Sequence, residues 1–230
     1  MKLKALAALC KKEATYRILD RETEHDINKP VLQQWLGVNG AIYPLPDLPY
    51  LTENHIANLF DVSFGQIDSG KVKIESEEFP PELDGSDYHA GEVVLDTADG
   101  ITIAYGAHVV RPYVTQSGHE FVNIEYLKPV EDAGVHLEIY ERRSKSGQIY
   151  LAAKVGFKVV GLIMPIKFDE GFAVEMERLA VNARAALQEE KEREERRKKA
   201  LGQMDLGEVT QAYIKQVAQR HGIEAGEVSE

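Results

Sequence analysis

The chain of 230 residues has a single cysteine, Cys10, so no disulfide can form within it and nothing in it asks for an oxidising compartment. Long apolar runs are missing too: stretches such as Val159 to Ile166 fall far short of a membrane span. The opening Met1-Lys2-Leu3-Lys4 with Ala5 to Cys10 imitates a signal peptide. However, Lys11-Lys12-Glu13 follows at once and there is no small-residue cleavage site. The expectation is a soluble, cytoplasmic protein with no membrane partner. Positive charge is in deficit, with 27 basic against 38 acidic residues and a net charge of −11. Such a surface repels nucleic acid as a whole, so any contact with DNA requires basic residues gathered on one face.

The usual signs of catalysis are also scarce. Glu24-His25-Asp26, Tyr88-His89 and Gly118-His119-Glu120 are isolated, and none has a recurring metal-ligand spacing. There is no Gly-rich phosphate loop and no nucleophile motif. Asp20 and Glu141 form a nominal carboxylate pair, but both sit at strand ends, where a structural role is expected. The sequence therefore reads as a non-enzyme without cofactor or metal.

What is present is a regular alternation of short elements. Leu3, Leu6, Ala7 and Cys10 share one face of a helix over about residues 2–13. Strands are predicted at Thr15 to Arg21, Val31 to Leu36 and Ala41 to Leu45, the last two joined by an Asn39-Gly40 turn. Thr52 is suited to cap a short helix through Phe60. Residues 63–92 lack regular pattern, and the acidic stretch Glu75 to Glu92 reads as a surface loop. Strands resume at Glu92 to Asp96, Ile101 to Tyr105 (after an Asp99-Gly100 turn), Ala107 to Thr115 and His119 to Asn123. A short helix is expected around Ile124 to Ala133, followed by strands at Val135 to Arg142, Ile149 to Val155 and Lys158 to Ile166. From Glu170 a long helix begins, docked through Phe172, Met176 and Leu179, and Glu189 to Lys199 is almost wholly charged, as a solvated face is. Gly202 is expected to break that helix and Leu206 to His221 to form another. The organisation is one domain over 1–168 and a charged helical tail over 169–230.

Sliding the sequence on itself by 121 residues lays Tyr16 to Arg21 on Leu137 to Arg142, Gly40 on Gly161, Ile42 on Ile163 and Pro44 on Pro165. In the preceding helices, Leu6 meets Leu127 and Leu9 meets Val130. The fold class expected is α+β, with two helix-plus-three-strand units joined edge to edge.

Phe121-Val122-Asn123-Ile124-Glu125-Tyr126-Leu127, the paired strands and the closing Leu162-Ile163-Met164-Pro165-Ile166-Lys167-Phe168 resemble the last repeat of the bacterial sliding clamp, the DNA polymerase III beta subunit. The specific likeness covers about 48 residues, and the duplicated pattern extends it loosely over 1–168. The resemblance implies a processivity-factor fold whose helices line a DNA channel, and a non-catalytic scaffold on DNA that binds replication proteins or further copies of itself. It places a partner-peptide pocket at Met164, Pro165 and Ile166. For weak, sequence-independent contact with duplex DNA, the available cations are Lys4, Lys11 and Lys12 on one face of the first helix, with Lys2 beside them. The second helix carries Glu125, Lys128, Glu131 and Asp132 around Pro129, a set that opposes a phosphate backbone. A clamp-like interaction module that binds no DNA is the alternative. In the tail, Gln203-Met204-Asp205-Leu206 is similar to the peptide that clamp partners insert, but Gly207 stands where the final aromatic belongs.

Overall fold

The computed structural model describes residues 2–24, 30–95, 101–131 and 136–203. The fold is mixed α+β, as expected, with an eight-stranded sheet, a three-stranded sheet and a long C-terminal helix. The first helix, α1 (Leu3–Glu13), buries Leu6, Leu9 and Cys10 and stops where Ala14 turns into the left-handed region at φ 52°. A meander follows: β1 (Thr15–Glu24), β2 (Pro30–Val38) and β3 (Ala41–Pro44), each antiparallel to the next. A side chain at Gly37 would run into the backbone of Ala41 and Ile42, so glycine lets β2 and β3 close tightly. Next come α2 (Glu53–Leu59), capped by Thr52, and α3 (Phe64–Asp68). Then β4 (Lys73–Glu78) lies parallel to β1. Residues 63–78, expected to be irregular, thus hold a helical turn and an edge strand. The exposed carboxylates of β4 suit an edge because they discourage further pairing.

After β5 (Val93–Val94), strands β6 (Ile103–Tyr105), β7 (His108–Thr115) and β8 (Gly118–Asn123) form the small sheet. A second meander, β9 (Leu137–Arg143), β10 (Ile149–Val155) and β11 (Lys158–Ile163), returns to the large sheet. Its order is β4-β1-β2-β3-β11-β10-β9-β5. The two meanders meet at β3 and β11, where Ile42 faces Leu162 and Ala41 faces Ile163.

The halves depart from one repeated unit. The helix expected around Ile124 to Ala133 is a single 3-10 turn at Ile124–Tyr126, followed by turns through Glu131. Pro129 gives the reason: it supplies no amide hydrogen and cannot continue a helix. The hairpin turns fall at 39–40 and 156–157, closer together than the 121-residue offset, so the alignment does not run through without a gap. A clamp-like duplication is not established by this arrangement.

Both faces of the large sheet are covered in its middle. On the first face Ile18, Leu36, Tyr43, Ile139, Leu151 and Ile163 pack with Leu6 and Leu9 of α1, Ile56 of α2, and Tyr113 and Val122 of the small sheet. On the second face Leu19, Trp35, Ile42, Tyr150 and Leu162 pack against Phe79 and Leu83. Burying each such Leu or Ile contributes about 1.5–3 kcal/mol. Phe79 to Leu95 is therefore a strap fastened across the second face. Phe79 N–H donates to Asp20 O (2.9 Å), Val159 N–H to Asp87 Oδ1 (2.9 Å) and Leu95 N–H to Ile139 O (2.8 Å).

The last helix, α4 (Glu170–Gln203), runs unbroken through Gly202. The chain divides into compact units at 1–180 and 181–230, twelve residues beyond the expected boundary at 168. Within the first unit, Met176 and Ala180 are buried against Val110 and Phe121, with Ile166 and Phe168 beside them. Phe172 is half-exposed and touches Tyr105 and Phe168, while Leu179 is exposed, so the docking uses only part of the expected face. In the second unit, the side chains of 189–199 are exposed and laced by pairs such as Glu189–Arg193 and Glu192–Arg196. The expected Asp99-Gly100 turn, the Leu206 to His221 helix and the Met204-Asp205-Leu206 similarity lie outside the described residues. Among the described residues, no helix is long and apolar enough to cross a membrane.

Candidate functional site

The second face is sealed except above the β3–β11 seam. There a groove of about 460 Å³ remains between the strap and the β9–β10 turn. Leu19, Ala41, Ile42, Leu162, Tyr150 and Met164 form its floor; Pro80, Glu82 and Leu83 stand on one side. Ser144, Ser146 and Gln148 stand on another, and Arg17 and Asn39 close the end nearest β1. The volume lies within the range of sites that take small molecules or a few side chains of a peptide.

The walls are held rigidly. Arg142 reaches from β9 beneath the strap, with its side chain wholly buried, and donates Nη1–H to the carbonyls of Asp84 and Ser86. Its Nε and Nη2 donate to Glu92 Oε2 at 2.8 and 2.6 Å, and Lys154 Nζ donates to Glu92 Oε1 at 2.6 Å. Burial alone pushes the Glu92 carboxyl up, but the bonds from Lys154 and Arg142 outweigh it and hold the group below its usual 4.5. Asp84, bonded to Ser86 N–H and near Arg142 and Arg21, is likewise held low against the upward push of burial. The β9–β10 turn is tied to the strap by Lys145 N–H donating to Glu82 O (3.2 Å). A site with fixed walls loses little conformational freedom when it fills.

Of the three residues that the clamp resemblance puts in a partner pocket, the groove takes in only Met164. Ile166 packs toward Phe121 and Phe168 instead, its N–H donating to Phe121 O (2.8 Å), and Pro165 is half-buried outside the groove lining. The reason is local: beyond β11 the chain leaves the large sheet and runs beside β8. Pro80, Leu83, Ser144, Ser146 and Gln148 were not expected in a site at all. One signal did exist in the sequence: adjacent apolar pairs Ile18-Leu19, Trp35-Leu36 and Leu162-Ile163 mark strands covered on both faces, which requires a second covering layer.

The lysine face is real but crowded. Lys4, Lys11 and Lys12 are exposed on α1, opposite buried Leu6, Leu9 and Cys10. Lys2 precedes the helix, its N–H donating to Pro129 O (2.8 Å). Lys12 Nζ lies 3.9 Å from Glu125 Oε2, and Lys128 Nζ 2.7 Å from Oε1 of the same group. The bond from Lys128, with help from Lys12, holds Glu125 below the usual carboxylate range, so this anion stays charged beside the lysines. Lys11 and Lys12 also sit in the last turn of α1, where cations stabilise a helix in any protein.

No family model, curated protein or solved structure matches this chain. Function must then be argued from the site itself. Cys10 is buried beneath Gly37, its thiol pushed up to about 12 chiefly by burial, which leaves it protonated and unreactive. Among the described residues, no group of three or more His, Cys, Asp or Glu side chains is placed to hold a metal ion.

Proposed function

We propose that this chain is a partner-binding scaffold, and that an extended segment of another protein lies in the groove over the β3–β11 seam. The observation that carries this reading is one open apolar floor on an otherwise sealed face: Leu19, Ile42, Leu162 and Met164 lie under a rigid strap whose edges offer polar groups. Apolar side chains would fill the floor, while Asn39, Ser144, Ser146 and Gln148 would bond the segment's backbone. A clamp-like relation is compatible with this. Ile18 of β1 and Ile139 of β9 occupy matching outer strands of the two meanders, and both are buried in one core. The partners of that reading are replication proteins or further copies of this chain.

The test is retention of partners from extract of the native cells by the full chain, compared with Ser146→Trp and Met164→Arg. Both substitutions sit at non-core positions of the groove, and circular dichroism checks that each variant is folded. A partner held by the wild type and lost by both, whose complex then re-forms from purified components, supports the reading. Equal retention by all three proteins refutes it.

Contact with duplex DNA is the second reading, favoured by the exposed Lys4 and Lys11, which have no ion-pair partner among the described residues. Glu125 and the net charge of −11 weigh against it.

A further inference from the structure

We infer that the segment taken by the groove is basic as well as apolar: an extended stretch with apolar side chains on the floor and Lys or Arg beside them on the β4 side. This rests on the groove reading above and adds the partner's charge to it.

The charges around the groove are uneven. Arg17 is the one cation in its lining, and Glu77 of β4 already holds it at 2.6 Å. Glu75 registers directly with Arg17 across the β1–β4 pair, so both side chains leave the same face of the sheet. Glu82 lines the groove from the strap and is exposed, as are Glu75 and Glu78. Among the described residues none of these three carboxylates has an ion-pair partner. The nearby cations do not cancel them. Lys145 stands on the β9–β10 turn outside the lining, and Lys73 lies back along β4 beside Thr15. The far wall, Ser144, Ser146 and Gln148, is uncharged. An apolar segment flanked by acids on one side and neutral groups on the other selects cations next to its apolar residues. An acidic segment would bring like charges together near a low-dielectric floor.

A randomised twelve-residue peptide library displayed on phage, selected on the full chain and counter-selected on Ser146→Trp, tests this. Groove-dependent peptides are expected to combine two or more apolar residues with an excess of Lys and Arg over Asp and Glu. A recovered peptide, synthesised with a fluorescent label, should bind the double variant Glu75→Gln/Glu82→Gln more weakly by on the order of tenfold, for two or three screened pairs. Its Lys/Arg→Gln analogue should bind both proteins alike. Groove-dependent peptides without the cation excess, or an unchanged affinity for the double variant, overturn the charge inference and leave the groove reading standing. Recovery of no groove-dependent peptide overturns both.

Discussion

Arg142 and Glu92, fifty residues apart, meet at 2.6 Å beneath the strap, and the arginine side chain is wholly withdrawn from solvent. A buried guanidinium cannot shed its charge, so it needs this carboxylate together with the carbonyls of Asp84 and Ser86. Removing the anion strands the cation. Glu92→Gln is expected to destabilise the fold by about 3 kcal/mol, because Lys154 loses its partner as well. Arg142→Met should cost less, since it removes the stranded charge and keeps much of the volume. Urea unfolding of the two variants checks the order; an equal or reversed order would mean that the pair is not what holds the strap.

Acid should loosen the same junction. Glu92 and Asp84 are both held below their usual values, 4.5 and 3.8. A carboxyl with a depressed value in the fold contributes stability that is complete above its unfolded value and is lost as pH falls through the folded one. Stability near neutrality should thus be insensitive to these two groups and should fall below about pH 4.5. Glu92→Gln should flatten that acid limb. Denaturation midpoints across the acid range, wild type against variant, give the comparison.

Trp35 is fully buried on the second face against Phe79, and its indole N–H has no hydrogen-bond partner. A buried unpaired donor costs on the order of 1–3 kcal/mol. Trp35→Phe loses packing volume but also removes that donor, and its net effect should lie within about 1 kcal/mol of neutral. Trp35→Leu keeps no ring to stack on Phe79 and should be clearly worse. A Trp35→Phe loss as large as that of an ordinary core truncation would mean that the N–H is satisfied in solution.

DNA affinity has a definite ceiling. Each lysine–phosphate contact lowers log affinity by about 0.9 per decade of salt. With Lys12 engaged by Glu125, Lys4 and Lys11 alone imply a slope near −2, where all the lysines of this face would give about −3 to −4. Fluorescence anisotropy on duplex DNA from low to physiological salt, with Lys4, Lys11 and Lys12 all changed to Gln for comparison, measures it. Glu125→Gln should steepen the slope if the wild type binds at all. No binding at low salt by either protein removes the DNA reading.

Much of the local structure was legible from residue order alone. Leu6, Leu9 and Cys10 face the core at helical spacing, Asn39-Gly40 turns β2 into β3, and the alternating and paired apolar residues locate β1 to β3 and β7 to β11. These depend on periodicity and turn chemistry, which act between near neighbours. The exceptions have local causes too: Pro129 denied a helix to Ile124 to Ala133, and Gly202 did not end α4 because one glycine costs a solvated helix only about 1 kcal/mol. What residue order could not decide is which distant pieces meet. Nothing near Arg142 in the chain points to Glu92, and nothing in the acidic stretch from Glu75 says that Phe79 and Leu83 will cover Trp35 and Tyr150. The groove exists because that strap stops short of the β9–β10 turn over the β3–β11 seam. Such a gap is set by how long-range contacts close over one another, and only the folded chain brings those contacts together.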